Sequence, residues 1–199
     1  MILLYYRRRI WGLVLVFNTS SLFLAIIVFN KNREMKKLIF IRHGKAEEQS
    51  PDISDFERSL TLKGKIISRE MARKLLIKEK SAGILITSPA FRALETAFIF
   101  ASEFGIDTEN VIMKSDLYFK MNLKNLPVIL SSINEETEIV TLFGHNPSFT
   151  QIANILCKEG CEFIPKSGIV CLSFNIRTWR EIGRNNGKME YFLKPEKIL

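Results

Sequence analysis

The sequence is poor in the residues that build covalent or metal-bound frameworks. Its three cysteines, Cys157, Cys161 and Cys171, are odd in number and lack C-x-x-C spacing. That argues against a disulfide framework and a zinc site, and fits small apolar residues buried in a reducing compartment. Histidine is scarcer still, with only His43 and His145. A concentrated basic stripe is also missing. The net charge of +8 divides into five basic residues and one acid in 1–34, and 24 basic and 20 acidic residues in 35–199. So mild an excess over a whole domain suits an anionic ligand and argues against a nucleic-acid module. Internal repeats, linkers and low-complexity tracts are absent, so one domain is expected over 35–199.

What is present is globular in character, with 47% hydrophobic and 25% charged residues. One apolar run approaches membrane-spanning length, "IWGLVLVFNTSSLFLAIIVF" (10–29), preceded by Arg7, Arg8 and Arg9. Asn18, Thr19, Ser20 and Ser21 interrupt its centre, and Lys31, Arg33, Lys36 and Lys37 make the far flank equally basic. No A-x-A-like site follows it. Residues 1–34 therefore read as an apolar, basic extension outside the main fold. They are either a membrane anchor or the product of a mis-assigned start, with Met35 beginning the protein proper. The second reading places the protein in the cytoplasm and the first tethers it to a membrane.

From Met35 strand and helix patterns alternate. "KLIFI" (37–41), "GILITS" (83–88) and "EIVTLFG" (138–144) are short continuous apolar runs, as expected of strands covered on both faces. Helical spacing is expected within 58–80, with Thr61 as N-cap, and over 90–105, 123–133 and 147–159. Residues 111–115 suggest a peripheral strand. The tail, 168–176 and 188–194 around "RNNG", suggests an antiparallel pair at a sheet edge. The expected fold is α/β: a three-layer sandwich with a mainly parallel central sheet and helices on both faces.

Ligands of such sheets bind beyond the carboxyl ends of the strands. His43 follows one buried run, His145 another, and Thr87, Ser88 and Pro89 end the third, with Arg92 just beyond. Arg42, His43, Arg92 and His145 thus converge on one edge, where two guanidinium groups and two imidazoles make an anion site suited to phosphate.

The ordered set "RHG" (42–44), "SPAFRALETA" (88–97) and "GHNP" (144–147) resembles the histidine phosphatase superfamily, the phosphoglycerate-mutase-like group. "RSLTLKG" (58–64), "LY" (117–118) and "FLKP" (192–195) make it more narrowly similar to the SixA-type phosphohistidine phosphatases. The resemblance implies a phosphatase needing neither metal nor cofactor, acting on a phosphorylated protein or a small phosphate through a phosphohistidine intermediate. His43 would be the nucleophile, with Arg42, Arg92 and His145 stabilising the transferred group. Gly44 and Asn146 would contribute to substrate binding, and Ser88 would cap the helix carrying Arg92. Where larger relatives place a glutamic acid to protonate the leaving group, residues 114–125 offer only Asp116. The lack of a stronger acid favours N-phosphorylated substrates, and the short chain between 88 and 111 leaves no room for a large cap. Lys45 follows the motif as either a substrate contact or a solvated lysine.

Overall fold

Residues 38–41, Leu-Ile-Phe-Ile, are fully buried because they alternate between two covered faces of one sheet. The computed structural model describes residues 35–119 and 121–196, preceded by β1 (Leu13–Val14) and β2 (Ile27–Val28), which pair antiparallel. Apart from those two dipeptides, the apolar run 10–29 lies outside the described residues. The chain divides into two compact units, Met1–Glu34 and Met35–Leu199. Among the described residues no helix is long and apolar enough to cross a membrane.

The second unit is built on β3 (Met35–Arg42), β4 (Ile84–Thr87), β5 (Ile112–Met113), β6 (Ile139–Gly144), β7 (Ile169–Asn175) and β8 (Gly187–Leu193). The strands lie in the order β5-β4-β6-β3-β7-β8. The first four run parallel, and β7 and β8 close one side as an antiparallel pair. Ile39, Ile41 and Phe143 face α1 (Leu62–Lys78) and α2 (Phe91–Glu103), where Met71, Leu75 and Phe100 complete one core. Leu38, Phe40 and Leu142 face the opposite core. It is supplied by α3 (Asp116–Phe119), α4 (Leu126–Leu130) and α5 (Ser148–Leu156) through Leu117, Leu126, Ile129 and Phe149. Edge-to-face aromatic pairs fill each layer, Phe40 with Phe149 and Phe100 with Phe143, both at 5.3 Å between centroids. This is the expected three-layer α/β architecture.

Element ends follow local chemistry. The Thr61 side chain accepts from Gly64 N and opens α1. Gly105, at φ +66, turns the chain away from α2. Three helices or strands are shorter than their apolar patterns. The 111–115 strand keeps only Ile112 and Met113 at the sheet edge. The helix expected over 123–133 contracts to Leu126–Leu130, with proline in its first turn. The helix expected over 147–159 stops at Leu156, where Cys157 turns extended, so Cys157 and Cys161 do not share a helix face. All three cysteines are free and buried.

Candidate active site

Strand register assembles the site. Arg42 lies opposite Gly144, and Thr87 opposite Phe143. The pairing continues past the strand ends: His43 N donates to Gly144 O at 3.1 Å, and Ser88 N to Phe143 O at 2.9 Å. The residues just beyond β3, β4 and β6 therefore stand side by side at the carboxyl edge of the sheet. The His43 and His145 rings come to 4.9 Å between centroids. A turn over 165–168, closed by Gly168 N to Pro165 O at 2.9 Å, backs the end of β3, because Ser167 N donates to Arg42 O and His43 O.

His43 is 8% exposed, and its Nδ1 lies 2.7 Å from Gly44 O. A carbonyl oxygen only accepts, so Nδ1 carries the ring proton and Nε2 keeps its lone pair. Burial pushes the His43 pKa down to about 3, assisted by His145 and by the Arg92 and Arg42 charges, while the Gly44 bond pulls the other way. Burial and Arg92 likewise push His145 down to about 4, against the opposing pull of Asp55. Both imidazoles are thus neutral at pH 7 in the free protein. His145 is oriented by Ser88, its Nε2 2.9 Å from the hydroxyl. Tyr118 packs edge-on against it at 5.5 Å.

The arginines are held differently. Arg92, in the first turn of α2, is 7% exposed and donates to Asp55 twice, to the backbone oxygen and at 2.8 Å to Oδ2. Asp55 also accepts from Arg58 at 2.7 Å and from the Tyr118 hydroxyl at 3.1 Å. These partners overcome desolvation and lower its pKa to about 2. Arg42 donates to Ile164 O at 2.9 Å and lies 4.9 Å from the Phe163 ring. Its Nε is buried and has no partner among the described residues. Such a buried orphan donor is costly.

Of the residues singled out in the sequence, Arg42, His43, Arg92, His145 and Asn146 line one cavity of about 550 Å³. Two do not. Asp116 is exposed at the start of α3, outside the cavity lining, so it is not placed to protonate a leaving group. Gly44 faces inward: a Cβ there would meet Ser68 Oγ at 2.6 Å, and its amide is occupied by Thr96 Oγ1 at 3.1 Å. Its lack of a side chain serves packing against α1 rather than substrate approach. Ser88 is not the N-cap of α2, a position held by Ala90; its hydroxyl accepts from Ala90 N and turns to His145. Residues that sequence reasoning missed complete the wall: Asp55, Arg58, Tyr118 and Lys166. Arg58 and Tyr118 sit inside quoted motifs, and Asp55 precedes Arg58 by three residues, a spacing that brings their side chains together.

The same architecture recurs in solved structures. A protein named as the phosphohistidine phosphatase SixA from Agrobacterium tumefaciens superposes with a TM-score of 0.65 at 21% identity, covering 80% of this chain and 98% of that one. A protein histidine phosphatase SixA complexed with tungstate gives 0.66 at 22%, covering 80% and 97%. A mycobacterial glucosyl-3-phosphoglycerate phosphatase gives 0.55 at 14%, covering 79% and 98%. No protein-family model and no curated protein sequence matches the chain. The fold is therefore the phosphoglycerate-mutase-like fold of the histidine phosphatases, without a large cap among the described residues.

Proposed function

We propose that this protein is a phosphatase that works through a phosphohistidine intermediate and that its substrate is a phosphohistidine on a protein. The observation that carries the reading is the state of His43: Nδ1–H is committed to Gly44 O, which leaves a neutral Nε2 on a cavity rimmed by Arg42, Arg58 and Arg92. In the first step the Nε2 lone pair forms the N–P bond as the substrate's own P–N bond breaks. The substrate imidazole enters protonated on its other ring nitrogen, so when the departing nitrogen keeps the electron pair of the broken bond the ring leaves neutral and takes no proton from the protein. In the second step water attacks phosphorus, the His43 N–P bond breaks, and inorganic phosphate leaves. Arg42, Arg92 and His145 would take the charge on the equatorial oxygens.

Asp55 supports the choice of substrate. Among the described residues it is the one carboxyl group on the cavity, and its three partners keep it ionised at neutral pH. A leaving group that needs no protein acid suits such a site, and a phosphoramidate protonated on nitrogen is one. A panel of a phosphohistidine protein, sugar phosphates and nucleotides tests the reading. Turnover is expected on the first, and a preference for sugar phosphates would favour a metabolite phosphomonoesterase instead. His43→Ala should lower kcat by about 10³-fold or more. It should also abolish ³²P trapped on the protein after an alkaline quench; label retained in that variant would sink the assignment of the nucleophile.

A further inference from the structure

Lys166 lines the cavity beside Arg42 and Arg58, and the chemistry above gives it no task. The other cations are engaged: Arg42 on Ile164 O, Arg92 on Asp55, and Arg58 on Asp55 and Glu47 O. Among the described residues Lys166 has neither a hydrogen bond nor an ion pair. The cavity's single carboxylate among the described residues, Asp55, is taken by Arg58 and Arg92, so four cationic side chains face one anion. Burial together with Arg42, Lys45 and Arg58 lowers the Lys166 pKa, as expected for an ammonium set among like charges.

An unpaired lysine on a mobile surface loop would carry no argument, but the backbone presenting this one is pinned. Lys166 is the second residue of the 165–168 turn, and Ser167, the third, sits at φ +58 where glycine is usual. Ser167 is held there by its N–H on Arg42 O at 3.0 Å and His43 O at 3.2 Å, and by a 3.0 Å hydroxyl contact with buried Ser68. Arg42 N donates to Gly168 O at 3.1 Å. The bonds that fix the nucleophile's strand end thus also fix the position of Lys166. A phosphoryl dianion seated on Arg42, Arg92 and His145 would leave the Arg58 and Lys166 side of the cavity cationic.

We propose that Lys166, with Arg58 beside it, forms a second anion subsite, and that the preferred substrate carries a carboxylate or a second phosphate next to the transferred phosphoryl group. The proposal rests on the phosphatase reading for its primary subsite. The second anion has two sources, an acidic residue flanking a phosphohistidine in a protein or a further phosphate on a small molecule.

The test separates the subsite from the reaction. Calorimetry on the full chain compares inorganic phosphate with pyrophosphate, for wild type, Lys166→Ala and Lys166→Arg. Wild type should bind pyrophosphate roughly tenfold more tightly than phosphate. Lys166→Ala should bring the two affinities to within about twofold of each other, and Lys166→Arg should restore the gap. An unchanged ratio in Lys166→Ala, or equal weakening of both ligands, overturns the proposal, the latter by making Lys166 part of the primary phosphate cage. Kinetics then compare phosphohistidine peptides with Asp or Asn beside the phosphohistidine, and a sugar bisphosphate with its monophosphate. Preference for the Asp peptide identifies the protein source, preference for the bisphosphate the small-molecule source, and turnover with preference in neither pair counts against the subsite. No turnover of any substrate alongside retained pyrophosphate discrimination would remove the phosphatase reading and leave the subsite standing.

Discussion

His43 and His145 are neutral at neutral pH because they are buried among cations, and this has a measurable effect on stability. Their folded pKa values, about 3 and about 4, lie below the unfolded value near 6.5. The unfolded chain therefore binds more protons in that window, and stability falls as pH drops from 6.5 toward 3. For His43 alone the loss between pH 7 and pH 5 is about 2 kcal/mol. Urea denaturation of His43→Asn should show a correspondingly flatter decline over that interval; an identical slope would contradict the buried neutral state. Asp55 acts in the same direction at lower pH, its contribution being present above the unfolded carboxylate pKa and lost as pH falls through about 2. Its work in the site is to position Arg92 and Arg58. Asp55→Ala should thus lower kcat/KM by roughly 10- to 100-fold. The loss should be similar for a phosphohistidine peptide and for an aryl phosphate with a good leaving group. A deficit confined to poor leaving groups would instead make Asp55 the proton donor.

At the scale of elements, the site depends on how α1 docks against the chain leaving β3. Thr61 caps α1 through Gly64 N, and its hydroxyl also reaches Lys45 O at 3.1 Å. Thr61→Ala should cost about 1 kcal/mol in chemical denaturation. Gly64 lies against the same carbonyl, where a Cβ would stand 2.2 Å from Lys45 O. That contact is backbone on backbone, so Gly64→Ala has to separate helix from loop. It should destabilise by about 1–3 kcal/mol and raise KM, because Ala46, next along, lines the cavity. A Gly64→Ala variant of wild-type stability and KM would show that this docking is not tight. Much of this scale was readable from sequence. The buried strands and the Thr61 cap follow from apolar runs and a hydroxyl at the right offset. The helices expected over 123–133 and 147–159 came out shorter, because an apolar pattern reports burial and both segments supply buried side chains from outside their helical turns, as Ile133 and Cys157 do.

At the scale of the second unit, the six-stranded sheet and the cavity are built, among the described residues, from 35–196. β3 begins at Met35 itself and pairs along its whole length with β7, opposite Asn175 at one end and Ile169 near the other. A chain starting at Met35 should therefore fold with the same sheet, and its thermal midpoint and kcat/KM should match those of the full chain. A drop of several degrees or loss of activity would mean that residues 1–34 support the domain.

The sequence by itself determined which segments are buried strands and that Arg42, His43, Arg92 and His145 stand at or beyond their carboxyl ends, because burial and strand termination are local properties of composition. It also carried the ordered motifs from which the fold was anticipated. Tertiary structure alone decided that β6 lies between β3 and β4, which brings the two histidines together. It also decided which His43 nitrogen is free, that Gly44 turns from the cavity toward Ser68, and that Asp55, Tyr118 and Lys166 close the wall in place of Asp116. The His43 tautomer depends on how the backbone turns at Gly44 and the other outcomes on contacts between residues tens of positions apart, and neither spacing nor periodicity encodes them.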